Sequence, residues 1–164
     1  MRNLILITGL AFLTACFYLD APAAEENISG EWRKVAADVH FTFRLPKSMK
    51  LSSEERCVEC AWGSTFSDDR IRLHAEYTDW NEEYAPQFLA KQQEYVKEST
   101  EIDGKSAKIQ SWRSEDVPQG FRYIAEARFY GTDRMLIARL SALCKERRDV
   151  ETARQIFSSV DFAQ

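Results

Sequence analysis

The sequence is poor in the residues on which most enzyme chemistry depends. Only two histidines occur in 164 residues, so no Ser-His-Asp order suggests a nucleophilic triad. The six glycines do not form a glycine-rich phosphate loop, and low-complexity tracts and internal repeats are also lacking. We therefore expect a protein that is not an enzyme and that holds no cofactor or metal.

The chain also lacks a basic stripe. Its formal net charge is −4, and its one basic cluster, residues 145–148, is interrupted by Glu146. An acidic surface repels phosphates and anionic lipids. We therefore expect no nucleic-acid partner.

Long apolar runs are absent except at the N terminus, where residues 4–13 follow Arg2. A short basic head and an apolar run predict a secretory signal, residues 1–23, cut after an Ala-x-Ala site. A second site competes, because Leu13-Thr14-Ala15-Cys16 resembles a bacterial lipobox in which Cys16 is lipidated. The apolar residues 17–19 favour the first reading and the compact run before Cys16 favours the second. Either way the protein is exported, periplasmic or secreted, with membrane attachment only through Cys16.

The remaining chain is long enough for one domain with a real core and too short for two. Residues 24–37 form a polar lead-in, and residues 38–164 form a single domain. Apolar residues alternate with polar ones in six segments, which predicts strands at 39–45, 60–66, 71–78, 106–112, 121–130 and 135–144.

Helical spacing of apolar residues appears twice. It predicts a helix over 82–99 and a last helix capped by Asp149, with Val150, Ala153, Ile156, Phe157 and Val160 on its buried face. Short turns between successive strands make neighbours antiparallel. The sequence thus predicts an α+β fold, a central antiparallel sheet of about six strands flanked by two main helices.

Three segments together resemble a known fold. Residues 41–46 (FTFRLP) resemble the opening strand of the PsbP-like fold, residues 102–107 (IDGKSA) its turn after the first helix, and residues 156–162 (IFSSVDF) its closing helix. The fold is named after an extrinsic photosystem II subunit, and it occurs in small exported bacterial proteins and lipoproteins such as DcrB-like proteins. The resemblance implies an α/β/α sandwich over residues 38–162 and a non-enzymatic binding, assembly or chaperone-like role.

The cysteines allow two interpretations. Cys57 and Cys60 form a C-x-x-C pair, which is typical of redox dithiols and of half zinc sites, but a strand rather than a helix follows it. In an oxidising compartment the simpler interpretation is a structural disulfide. Cleavage after Ala23 leaves three cysteines, and we expect Cys144 to pair with Cys57 or Cys60.

Two groups of side chains are candidates for a binding surface. The aromatic residues Trp62, Tyr77, Trp80 and Tyr84 cluster in sequence and line either a cleft or the core. The polar faces of the predicted strands form either a broad charged surface or a salt-bridged sheet face; they carry Arg44, Arg72, His74, Glu76, Arg122, Glu126, Arg128 and Arg139.

Three functions remain open on these residues. The first is a non-catalytic envelope protein that binds or helps to assemble a protein partner. The second is a thiol-redox or metal-binding protein that uses Cys57 and Cys60. The third is a carrier of a small ligand that uses the aromatic segment 62–84.

Overall fold

The computed structural model of the chain describes residues 31–36, 41–57, 61–78, 86–131 and 137–162. Ten strands and two helices lie in these ranges: β1 (Trp32–Ala36), β2 (Phe41–Pro46), β3 (Lys50–Cys57), β4 (Ala61–Ser67), β5 (Ile71–Thr78), α1 (Pro86–Leu89), β6 (Gln93–Ile102), β7 (Lys105–Arg113), β8 (Tyr123–Tyr130), β9 (Ile137–Cys144), α2 (Arg147–Ser158) and β10 (Asp161–Phe162). The helices of these ranges are too short and too polar to cross a membrane.

The strands form two antiparallel sheets. The main sheet has seven strands in the order β3-β4-β5-β9-β8-β7-β6, and the small sheet has three in the order β1-β2-β10. The α+β class is confirmed, but the arrangement differs from one six-stranded sheet flanked by helices. The small sheet and α2 cover one face of the main sheet, and their apolar side chains share a core cluster with it.

The alternation of apolar residues correctly predicts which side chains are buried. Phe41, Phe43 and Leu45 of β2 are at most 1% exposed, and Ala138, Leu140 and Ala142 of β9 are completely buried. In α2, the predicted face from Val150 to Phe157 is buried as well, and so is Val160, which lies beyond the end of the helix. We call the core-lining face of the main sheet its inner face, and the opposite one its outer face.

The predicted helix over 82–99 is wrong in its described part. Only Pro86–Leu89 is helical, and Gln93–Ile102 is the edge strand β6. Almost every residue of β6 is exposed on either face, so the strand has no apolar alternation. Tyr95 and Val96 are neighbours in the sequence and fit a helical spacing with the apolar residues before them, which explains the wrong prediction. A bulge between Gln93 and Val96, with Glu94 at a φ of 54°, starts the strand.

Three further details differ from expectation. Residues 32–36, within the predicted lead-in, form β1 and pair with β2. Residues 50–57 form β3, although no alternation of apolar and polar residues predicts a strand there. Asp149 does not occupy the cap position but the third position of α2, where its carboxylate accepts a hydrogen bond of 2.9 Å from the Glu146 N–H.

Candidate functional site

The aromatic group predicted as a binding surface is only partly described. Trp80 and Tyr84 lie outside the described residues. The backbone of Trp62 lies in β4 directly opposite Tyr77 of β5. The Tyr77 side chain is 5% exposed and packs against Phe41, with 6.5 Å between ring centroids. Tyr77 therefore belongs to the core and not to a binding surface.

The cysteines do not come together as expected. Cys60 and Cys16 lie outside the described residues. Cys57 ends β3 and pairs with Ala61 of β4, which in turn pairs with Thr78 at the end of β5. Cys144 pairs instead with Ile71, at the other end of β5. Seven residues of strand separate these two ends, about 23 Å, whereas bridged Cα atoms lie within about 7 Å.

The predicted bridge from Cys144 is therefore wrong, and Cys144 is a free, buried thiol. The strand registers rule out Cys57 as the partner of Cys144, and Cys60 lies outside the described residues. A bridge between Cys57 and Cys60 stays a prediction. The C-x-x-C segment is followed by the strand β4, which starts at Ala61, and not by a helix.

Cys144 lies in an environment that suppresses its reactivity. Burial and, to a lesser degree, the negative charge of Asp149 raise the pKa of the Cys144 thiol to about 12. At pH 8 only about one thiol in ten thousand is then ionised. We expect iodoacetamide to leave Cys144 unmodified in the native protein and to label it fully in guanidinium chloride, as read from the mass of its peptide. Labelling of native Cys144 at the rate of the denatured sample would contradict this environment.

Polar side chains on the outer face form a connected network that begins at β4. The Thr65 hydroxyl lies 3.0 Å from His74 Nδ1, and His74 Nε2 lies 3.7 Å from the Glu76 carboxylate. Gly63 makes room for the imidazole, because a Cβ at this position would lie 3.1 Å from His74 Cε1. Glu76 in turn pairs with Arg139 of β9.

These contacts fix the charge of Glu76. Burial alone would raise the pKa of its carboxyl group, but the polar contact with His74 and the positive charge of Arg139 outweigh burial, so the pKa lies below its ordinary value. Glu76 is consequently an ionised carboxylate that contacts both His74 and Arg139. Its low pKa makes it a poor general base.

A second group of polar contacts lies beside this network on β8 and β7. Arg128 lies directly opposite Arg139, and each arginine has its own carboxylate partner. Glu126 accepts hydrogen bonds from Arg128 Nε at 2.5 Å and from Gln110 Nε2 at 3.1 Å. Tyr95 of β6 reaches Gln110 with its hydroxyl at 3.5 Å.

The predicted charged face is thus divided. Glu126 and Arg128 are 3% and 1% exposed, so this part is a buried salt-bridged network. Arg72 remains exposed and stacks over the Phe121 ring at 5.4 Å. Arg44 belongs to β2 of the small sheet, not to this face. Within the described ranges no three His, Cys, Asp or Glu side chains are placed to hold a metal ion.

A more accessible candidate site lies between the two sheets. A cleft of about 620 Å³ separates the β1–β2 hairpin from the turn between β4 and β5, with α2 at its side. We call it the two-sheet cleft. Trp32, which also packs against the core, and Ile71 supply apolar surface. The charged groups are Glu31, Lys47, Asp68, Asp69 and Arg70.

The rim of the two-sheet cleft is held in place by hydrogen bonds. One oxygen of Asp68 accepts the backbone N–H groups of Arg70 and Ile71 at 2.9 and 2.8 Å, and the other accepts the Ser48 hydroxyl at 2.8 Å. Burial would raise the pKa of Asp68, but these hydrogen bonds and the nearby Arg70 lower it overall. The rim therefore stays charged and ordered.

Arg70 links the cleft to the core. Its guanidinium pairs with Asp149, whose side chain is completely buried in the first turn of α2. The arginine remains 44% exposed toward the cleft. Two cations, three carboxylates and one indole line the same cleft, a combination that suits a segment with both apolar and basic groups.

The cleft residues are far apart in the sequence, from Glu31 to Thr152. The turn chemistry of residues 67–69 was recognisable from sequence, but Trp32 lay in the supposed lead-in. Trp32 and Val35, the two partly buried residues of β1, are three positions apart, so they show no period-two alternation that would have indicated a strand.

The fold resembles that of a solved protein. The solution structure of cyanobacterial PsbP (CyanoP) from Synechocystis sp. PCC 6803 matches with a TM-score of 0.53 and 10% sequence identity, over 88% of this chain and 99% of that chain. No family model and no curated protein matches the sequence. The chain has a PsbP-like fold, which confirms the resemblance seen in its sequence.

Proposed function

From this PsbP-like scaffold, we propose that the chain is a non-catalytic exported protein of the cell envelope that binds a protein partner in the two-sheet cleft. The observation on which the proposal rests is the cleft itself: an ordered, charged rim around Trp32. Tryptophan and arginine are enriched among the residues that dominate protein–protein affinity. Export is supported by the signal-like residues 1–23.

The ordering of the rim favours binding. Asp68 and Arg70 are already held by Ser48 and Asp149, so a partner does not have to order them. Groups that are fixed before association lose less conformational entropy on binding. The same contacts hold the pKa of Asp68 below its ordinary value, which makes this carboxylate a poor general base.

Reversal of one exposed charge in the cleft tests the proposal. The tagged wild-type chain is incubated with envelope extract, and bound proteins are quantified by mass spectrometry beside Asp69→Lys and the control Asp116→Lys. Both aspartates are exposed, and only Asp69 lies in the cleft. We expect one protein to be enriched by the wild type and the control and to be reduced about ten-fold by Asp69→Lys, because rim charges govern association.

Two results would overturn the proposal. Equal capture by both variants would remove the cleft from the interface. The absence of any protein enriched by the wild type would remove the partner itself. Lys47→Glu reverses a second exposed charge of the cleft and provides a second measurement, and we expect it to reduce the enrichment as well.

A further inference from the structure

The edge strand β6 has the features of a self-association surface. In the described part of the chain, β6 is the last strand of the main sheet and pairs only with β7. Residues 97–101 are all exposed, and Val96 is 49% exposed. The outward backbone groups of such an edge are available to another strand. We propose that two copies of this chain pair through β6, antiparallel, around a two-fold axis at Ser99.

The register with β7 defines which side chains share a face. Lys97, Ser99 and Glu101 lie opposite Gln110, Lys108 and Ser106, which are outer-face positions. Val96, Glu98, Thr100 and Ile102 occupy the alternate, inner-face positions. A two-fold axis perpendicular to the sheet joins the two main sheets into one continuous sheet, in which the outer faces of both copies lie on the same side. Outer-face residues therefore oppose only outer-face residues, and inner-face residues only inner-face residues.

The sequence of β6 is complementary to itself in the register centred on Ser99. Lys97 then opposes Glu101 of the second copy, and the symmetry repeats this ion pair. Val96 opposes Ile102 of the second copy, Glu98 opposes Thr100, and the two Ser99 residues face each other. Opposite charges and apolar pairs across strands are stabilising.

Neighbouring registers lack this complementarity. With the axis at Glu98, the Glu98 carboxylates of the two copies lie directly opposite each other. With the axis at Lys97, the two Lys97 ammonium groups do so. An axis at Thr100 places Glu98 against Ile102. Like charges directly opposite are destabilising, so the pattern selects the axis at Ser99.

The regular length of β6 also fits. The bulge lies between Gln93 and Val96, so residues 96–102 pair with β7 without interruption. In β3, the other edge strand of the main sheet, the irregularity lies between Leu51 and Ser53, inside the strand. Bulges disrupt edge pairing, and β6 keeps its bulge outside the proposed interface.

Charge exchange at the two facing positions tests the proposal. Sedimentation velocity of the full mature chain gives the dimer dissociation constant for the wild type, Lys97→Glu, Glu101→Lys and the double variant. We expect a concentration-dependent dimer, each single variant to weaken it by roughly ten-fold or more, and the double variant to restore it. The control Lys91→Glu, an exposed lysine outside β6, is expected to leave the constant unchanged.

A cysteine at the axis gives a second readout. Ser99→Cys places two thiols in directly opposed positions, about 5 Å apart between Cα atoms, within disulfide reach. Under mild oxidation we expect a disulfide-linked dimer for Ser99→Cys, and none for Thr100→Cys or the wild type. A monomer at every concentration, equal cross-linking of both cysteine variants, or a double charge variant as weak as the single ones would each overturn the proposed pairing.

Discussion

Replacement of Glu126 by leucine is expected to lower the free energy of unfolding by about 3 kcal/mol. Glu126 is 3% exposed and accepts hydrogen bonds from Arg128 and Gln110. The variant removes the carboxylate that faces an almost completely buried guanidinium. An uncompensated buried charge is costly because the sheet interior solvates it poorly. Urea denaturation followed by circular dichroism measures the change.

The double variant Glu126→Leu, Arg128→Leu separates the charge from the packing. With both ionic groups replaced by apolar ones, we expect part of the lost stability to return, so that the two substitutions are not additive. A single variant that costs less than about 1 kcal/mol, or fully additive effects, would contradict a buried ion pair at this site.

Truncation of Phe43 to alanine is expected to cost about 4 kcal/mol. Phe43 is completely buried, and its ring meets Phe66 of the main sheet edge-on, with 5.8 Å between centroids. Because β2 belongs to the small sheet, the lost ring leaves a cavity at the contact between the two sheets. The same denaturation experiment measures the loss.

Phe88→Ala is the matched control for Phe43. The Phe88 ring is 43% exposed, so its removal is expected to cost less than about 1 kcal/mol. Equal losses at the two positions would show that the small sheet does not pack on the main sheet through Phe43.

Much of the fold could be predicted from the sequence, because most strands have one buried face. Ile71, Leu73 and Ala75 alternate with polar residues, and each is at most 3% exposed. The same principle identified β8, β9 and α2. The sequence segments FTFRLP and IFSSVDF also indicated the PsbP-like fold.

The predictions failed where an element has no such face. All residues of β6 except Tyr95 and Ile102 are exposed, so the strand carries no period-two signal, and the tyrosine and valine near its start fit a helical spacing instead. β1 is short, with only Trp32 and Val35 partly buried. Local pattern carries little information about strands of this kind.

The candidate site could not be predicted, since it is a product of tertiary packing. Trp32, Asp68 and Thr152 belong to different elements and meet only when the small sheet packs on the main sheet. The cysteine pairing failed for a related reason. Cys144 has the correct phase along its strand, but phase does not fix the end of the sheet at which a residue lies.

Site-specific photo-cross-linking in the intact envelope tests the proposed cleft most directly. A photoreactive phenylalanine analogue replaces Thr152, an uncharged residue of α2 in the cleft, or, as the control, the exposed Lys91 outside it. We predict that irradiation links the Thr152 variant to one defined protein, and that the Lys91 variant gives no such product. The same product from both positions, or none from Thr152, would contradict the assignment of the two-sheet cleft as the docking site.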